Sequence, residues 1–131
     1  MFKLKIITPK GVYLDKEIES LTIKLTTGYR TILSGHAPLI GSVDYGPMHL
    51  IINGETKYYA VMGGALSIDE SGSVSLIING INTKEEIDLE RALQSKERAE
   101  HRLKEKDDNT DLRRAELSLK RAISRIDTYY S

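Results

Sequence analysis

All ten glycines and all three prolines of the chain lie in its first 82 residues, and the 49 residues that follow contain neither. Glycine and proline interrupt helices and favour turns, so residues 1–82 must change direction often, whereas residues 83–131 can run as uninterrupted helix. Charge divides at the same place, with 14 charged side chains among the first 82 residues and 24 among the last 49. Two regions with different physics are expected, 1–82 and 83–131.

In the first region the apolar residues alternate: Leu4 with Ile6, Leu21 with Ile23 and Leu25, and Leu66 with Ile68. Period two is the mark of a strand with one face buried. Breakers recur at Pro9-Lys10-Gly11, Thr27-Gly28, Gly46-Pro47, Asn53-Gly54, Gly63-Gly64 and Ser71-Gly72. Asn53-Gly54 predicts a two-residue hairpin, because both central residues of a type I′ turn need positive φ. Gly63-Gly64 reads as a bend between strands. Many short strands at this spacing define an antiparallel β-sandwich or barrel.

The second region changes period. Leu89, Ala92, Lys96, Ala99 and Leu103 follow steps of three and four, and Leu112, Ala115, Leu119, Ala122 and Ile126 repeat them. Each set is a heptad-like helical seam. The polar run Lys106-Asp107-Asp108-Asn109-Thr110 suits a turn and helix N-cap, so an antiparallel two-helix hairpin is expected. Alanine recurs along both seams, allowing close approach but burying little area. At roughly 25 cal/mol per Å², such a hairpin gains little beyond its own ordering cost. It therefore needs a partner, and small energies would shift its position.

The arginines follow that hairpin. Arg91, Arg98 and Arg102 are spaced by seven and four, as are Arg114, Arg121 and Arg125. In an antiparallel pair, Arg91 and Arg98 meet Arg121 and Arg125 near one end. Guanidinium groups gathered there repel one another unless an anion lies between them, and their planar forks suit phosphate. Asp88, or Thr83 with Glu86 as a capping box, starts the first helix and leaves amide donors beside the same end. The alternative is a solvated face on which Glu90, Glu97, Glu100 and Glu116 pair with the arginines.

Other chemistry is poorly supported. The 19 basic and 19 acidic side chains cancel, and the seven tyrosines do not alternate with basic residues, so nucleic acid is not an expected partner. Cysteine is absent, which excludes thiolate catalysis, and the N-terminal apolar stretch is too short for a signal peptide or membrane span. His36, in Ser34-Gly35-His36-Ala37-Pro38-Leu39, has no acidic or cysteine ligand nearby, and Ser34 lacks a nucleophile-elbow setting. His49 and His101 have no metal-ligand spacing to it, and no phosphate-loop motif follows a strand. No catalytic residue and no metal site is expected.

The SGHAPL loop, the VMGGAL segment, the IDLERA helix start and the RAELSLKRAISRI helix together resemble the epsilon-subunit family of bacterial F-type ATP synthases, over essentially the whole chain. The resemblance implies an N-terminal sandwich of about ten strands and a C-terminal hairpin. It implies a non-catalytic rotor subunit of a proton- or sodium-translocating synthase, peripheral at the cytoplasmic face of the bacterial cell membrane. Its partners are then the gamma subunit, the c-subunit ring and, when the hairpin extends, the alpha/beta catalytic hexamer, whose ATP hydrolysis the extended form inhibits.

In some family members an I/L-D-x-x-R-A motif binds ATP and holds the hairpin folded. Ile87, Asp88, Arg91 and Ala92 match it, and Arg98, Arg121 and Arg125 fall where the family's further basic residues lie. No cofactor is implied beyond ATP as a regulatory ligand, and the role of magnesium is left open. The alternative within the family is a purely structural adaptor that binds no nucleotide. Two departures stand out: Asn82 occupies a position that is acidic in ATP-binding relatives, and residues 27–34 differ from the usual family loop. Tyr29 and Arg30 in that loop, with the retained His36, are the expected c-ring contacts.

Overall fold

The computed structural model describes residues 1–105 and 111–131. The polar run expected to turn between the helices, 106–110, lies outside the described residues. Eight strands are present among the described residues: β1 (Phe2–Thr8), β2 (Gly11–Ile18), β3 (Ser20–Leu25), β4 (Gly28–Leu33), β5 (Leu39–Ile52), β6 (Glu55–Ile68), β7 (Val74–Ile78) and β8 (Ile81–Thr83). Two helices follow, α1 (Leu89–Lys104) and α2 (Leu112–Tyr129).

Short-range signals act as expected. The β5–β6 hairpin turns at Asn53 and Gly54, whose φ angles are 52° and 76°, the backbone signature of a type I′ turn. The alternating residues Leu4, Ile6, Leu21, Ile23, Leu25, Leu66 and Ile68 all enter one core. Its innermost side chains, among them Leu4, Leu21, Leu50, Leu66 and Leu76, are fully buried.

Two expected breaks do not occur. Gly46-Pro47 lies inside β5 and Gly63-Gly64 inside β6, so each strand runs through 14 residues. Two long strands thus stand in place of shorter ones, and the count among the described residues is eight where about ten were expected. The double glycine bends β6 without ending it. Residues 64–68 pair with β7, whereas residues 59–61 pair with β8. Across the bend, Met62 N–H donates to the Gly80 carbonyl and Asn79 N–H to the Gly63 carbonyl, both at 3.0 Å. One strand therefore serves both layers, and the continuous order β2-β1-β7-β6-β5-β3-β4 folds over a shared core.

The sandwich is also not wholly antiparallel: β1 pairs with β7 in parallel, Leu4 opposite Val74 and Ile7 opposite Ile77. These strands are distant in the sequence, so no hairpin turn dictates their relative direction. All other strand pairs are antiparallel.

Both proposed starts of the helical region are used in succession. Thr83 and Glu86 form a reciprocal capping box on a short 3-10 turn over residues 84–86, with Thr83 N–H donating to Glu86 Oε1 at 2.9 Å. Asp88 then caps α1, its Oδ1 accepting from Arg91 N–H at 3.1 Å. Along the seam, Ala92, Ala99, Ala115 and Ala122 are all buried. Leu89, Leu103, Leu119 and Ile126 are only half-buried, and Leu112 is exposed. Four methyl groups thus form the most buried part of the seam.

α2 also lies on β5 and β6. On β6, Tyr59 and Val61 belong to the sandwich core, while the alternate residues Ala60 and Met62 are buried outside that cluster. Polar contacts fasten the helix here. Ser124 Oγ donates to the Val61 carbonyl at 3.0 Å, and Thr128 Oγ1 lies 3.3 Å from the Tyr59 carbonyl and 2.8 Å from that of Ser124. Both side chains are fully buried or nearly so. A neutral hydrogen bond contributes about 1 kcal/mol net, and its groups find water again if the helix leaves. Ser124→Ala is expected to raise hydrogen exchange in α2 about fivefold over that in the sandwich, corresponding to about 1 kcal/mol of docking. Unchanged exchange would show that the Ser124 hydrogen bond adds nothing to docking.

Candidate functional site

The start of α1 lies beside the end of α2, and a cleft of about 560 Å³ opens between them. Every residue of the ATP motif expected from the sequence lines it: Ile87, Asp88, Arg91, Ala92, Arg98, Arg121 and Arg125. Asn82 at the end of the sandwich also lines it, as do Glu86, Ser95, Ala99, Arg102 and Ser118. Arg114, which shares the sequence spacing, is not among the lining residues.

Five guanidinium groups therefore face two carboxylates, and both carboxylates are engaged by backbone amides. Glu86 accepts from Thr83 and Asp88 from Arg91. The Thr83 backbone and side-chain hydrogen bonds hold the Glu86 carboxyl below the usual range. Among the described residues no carboxylate lies within ion-pair distance of Arg91, Arg98, Arg102, Arg121 or Arg125. The expected alternative, pairing with Glu90, Glu97, Glu100 and Glu116 across a solvated face, is not formed. Those glutamates are exposed, and water screens their attraction too strongly to fix long side chains in place.

Two serines and an amide accept from three of the five arginines instead. Arg98 Nη2 donates to Ser95 Oγ at 3.4 Å, and Arg121 Nη2 to Ser118 Oγ at 3.1 Å. The same serine-to-arginine step of three occurs on each helix, a signal visible in the sequence once the helices are aligned. Arg125 reaches across to the sandwich, where its Nε donates to Asn82 Oδ1 at 3.1 Å. Burial, then repulsion from Arg121 and Arg91, pushes the Arg125 guanidinium below its ordinary value. A half-buried cation with cationic neighbours is stabilised by any anion that enters.

The other expected residues lie elsewhere. Tyr29 and Arg30 belong to β4 rather than a loop, paired with Lys24 and Ile23 of β3. β4 ends the strand order, and the Tyr29 ring is largely exposed on it. His36 does lie in the loop before β5, with Nδ1 2.7 Å from the Ala37 carbonyl. These residues do not line the arginine cleft. Among the described residues, no group of three or more metal-ligating side chains is assembled.

The fold is thus a β-sandwich carrying a docked two-helix hairpin, with an arginine-lined cleft between the helices. Residues 1–81 match the family model described as ATP synthase, Delta/Epsilon chain, beta-sandwich domain, and residues 85–129 match the one for its long alpha-helix domain. The chain belongs to the ATP synthase delta/epsilon family, as a non-catalytic central-stalk subunit of the epsilon type.

It is 41% identical over 125 residues to the ATP synthase epsilon chain of Bacillus velezensis, covering 95% of this chain and 94% of that one. Identity to the epsilon chain of Ruminococcus albus is 36% over 126 residues, with 96% and 94% covered. The fold also matches a chain in a structure of Euglena gracilis mitochondrial ATP synthase, with a TM-score of 0.82 at 21% identity, covering 91% of this chain and 75% of that one. No helix among the described residues is long and apolar enough to cross a membrane.

Proposed function

We propose that the hairpin of this central-stalk subunit is an ATP-sensitive brake. The sandwich seats the chain on the gamma subunit and the c ring, peripheral to the cytoplasmic face of the bacterial membrane. The hairpin, when extended, engages the alpha/beta hexamer and inhibits hydrolysis. One observation carries the regulatory part: the two helices place five arginines around a single cleft without a described carboxylate partner. That cleft exists only while α1 and α2 lie side by side. A triphosphate bound there has higher affinity for the folded hairpin than for the extended one, and so shifts the population toward the folded form. Tyr29, Arg30 and His36, at the exposed edge strand and its following loop, are assigned to the c-ring contact.

Calorimetric titration of the purified chain with ATP and ADP tests the reading, with saturable binding of ATP expected. Absence of binding up to millimolar ATP would leave a structural adaptor whose hairpin is controlled by its neighbours. A second prediction concerns the division of labour. A chain ending at Thr83 retains every strand of the sandwich, so it is expected to keep gamma binding and coupled synthesis while losing control of hydrolysis. Loss of gamma binding in that truncation would overturn the assignment.

A further inference from the structure

α2 ends without a cation of its own. Its last turn carries no basic side chain, and Asp127 there adds a negative charge beside carbonyls that already form the negative end of the helix dipole. A basic group near that end stabilises the helix, and one is supplied from elsewhere in the chain. Lys84 Nζ donates to the Ser131 carbonyl, just beyond the end of α2 and 47 positions away in the sequence.

Lys84 belongs to neither helix of the hairpin. It opens the 3-10 turn over residues 84–86, which follows β8 directly and is closed by the capping box of Thr83 and Glu86. Its half-buried side chain lies over the ring of Tyr58 on β6, with Nζ 5.2 Å from the ring centroid. That ring packs in turn against His49 of β5, the two centroids 5.7 Å apart. One ammonium group thus meets the face of a sandwich tyrosine and a carbonyl at the end of α2, both of which attract a cation. None of these residues lines the arginine cleft.

We infer that Lys84 is an electrostatic latch that fastens the end of α2 to the sandwich independently of any ligand in the cleft. Its ammonium group serves as the C-terminal cation that α2 lacks. It does so only while the helix is docked, because β8 and the capping box hold the Lys84 backbone to the sandwich. Undocking therefore costs α2 its dipole partner, whether or not an anion lies between the helices. Ser124 and Thr128 hold the same end of α2 through neutral groups, which salt does not screen. The Lys84 contact is screened, so salt separates the two kinds of fastening.

Hydrogen exchange of the full chain without nucleotide tests the latch. Lys84→Met keeps the apolar stem of the side chain and removes its charge and donor. Exchange over residues 126–131 is expected to rise about fivefold relative to the sandwich strands. Lys84→Arg, which restores a cation and its donors, should return exchange to within about twofold of the parent. Raising salt from about 0.1 M to about 1 M shortens the screening length from about 10 Å to about 3 Å. This should increase exchange of the same residues in the parent and have little further effect in Lys84→Met. The rise in Lys84→Met should persist in an Arg91→Ala background, since latch and cleft share no residue. No rise in Lys84→Met, an equal rise in Lys84→Arg, or a rise that disappears with Arg91→Ala would overturn the inference.

Discussion

Gly64→Ala is expected to destabilise the sandwich by about 4 kcal/mol, enough to remove a large part of the stability of a small domain. Two costs combine. Gly64 has φ of 151°, and a Cβ there would stand 2.1 Å from the Ile77 carbonyl oxygen and 2.7 Å from Ile78 Cα. These are backbone atoms of the paired strand β7, so relief requires prising β6 from β7. Backbone strain contributes roughly 1–3 kcal/mol and overpacking a similar amount. Gly54→Ala is the control: φ is 76° but no atom lies within 4 Å of the added Cβ, so about 1 kcal/mol is expected. Urea unfolding of the full chain measures both. Equal midpoints for the two variants would show that β6 accommodates a side chain at its bend by shifting.

The second large effect falls on ligand affinity. Arg91→Ala and Arg125→Ala are each expected to weaken ATP binding by about 2 kcal/mol, roughly thirtyfold, because each removes a charge-assisted donor from opposite walls of the cleft. Arg91 belongs to α1 and Arg125 to α2, so loss in both variants would locate the phosphate between the helices. Arg114→Ala removes an arginine of the same sequence pattern that does not line the cleft, and is expected to leave affinity nearly unchanged. Calorimetry at fixed ionic strength provides the comparison. Equal losses in all three variants would indicate a general electrostatic attraction in place of a defined site.

The alanine seam and the serine–threonine contacts give the hairpin a physical basis for reversible docking. Buried methyl groups permit close packing of α1 and α2 without a large apolar area. Ser124 and Thr128 add bonds to the β6 backbone that water can replace. Small differences in ligand affinity are then sufficient to govern a large displacement. On the proposed reading, an anion held in the arginine cleft supplies such a difference, because the walls of the cleft come from both helices.

The sequence by itself determined the partition into strands and helices, the Asn53-Gly54 hairpin and both cap signals, since each rests on local conformational preference. The arginine spacing also showed which residues could meet, because helical period is a local property. Only the tertiary structure decided that Gly63-Gly64 bends a continuous strand, that β1 runs parallel to β7, and that Tyr29 and Arg30 sit on an edge strand. Those outcomes depend on which distant strands share a core, and two glycines permit a turn or an internal bend equally well. The links from Ser124 to Val61 and from Arg125 to Asn82 likewise join residues 63 and 43 positions apart. No local period encodes such a pairing, because it arises when docking α2 on β6 brings these polar groups together where each needs a partner.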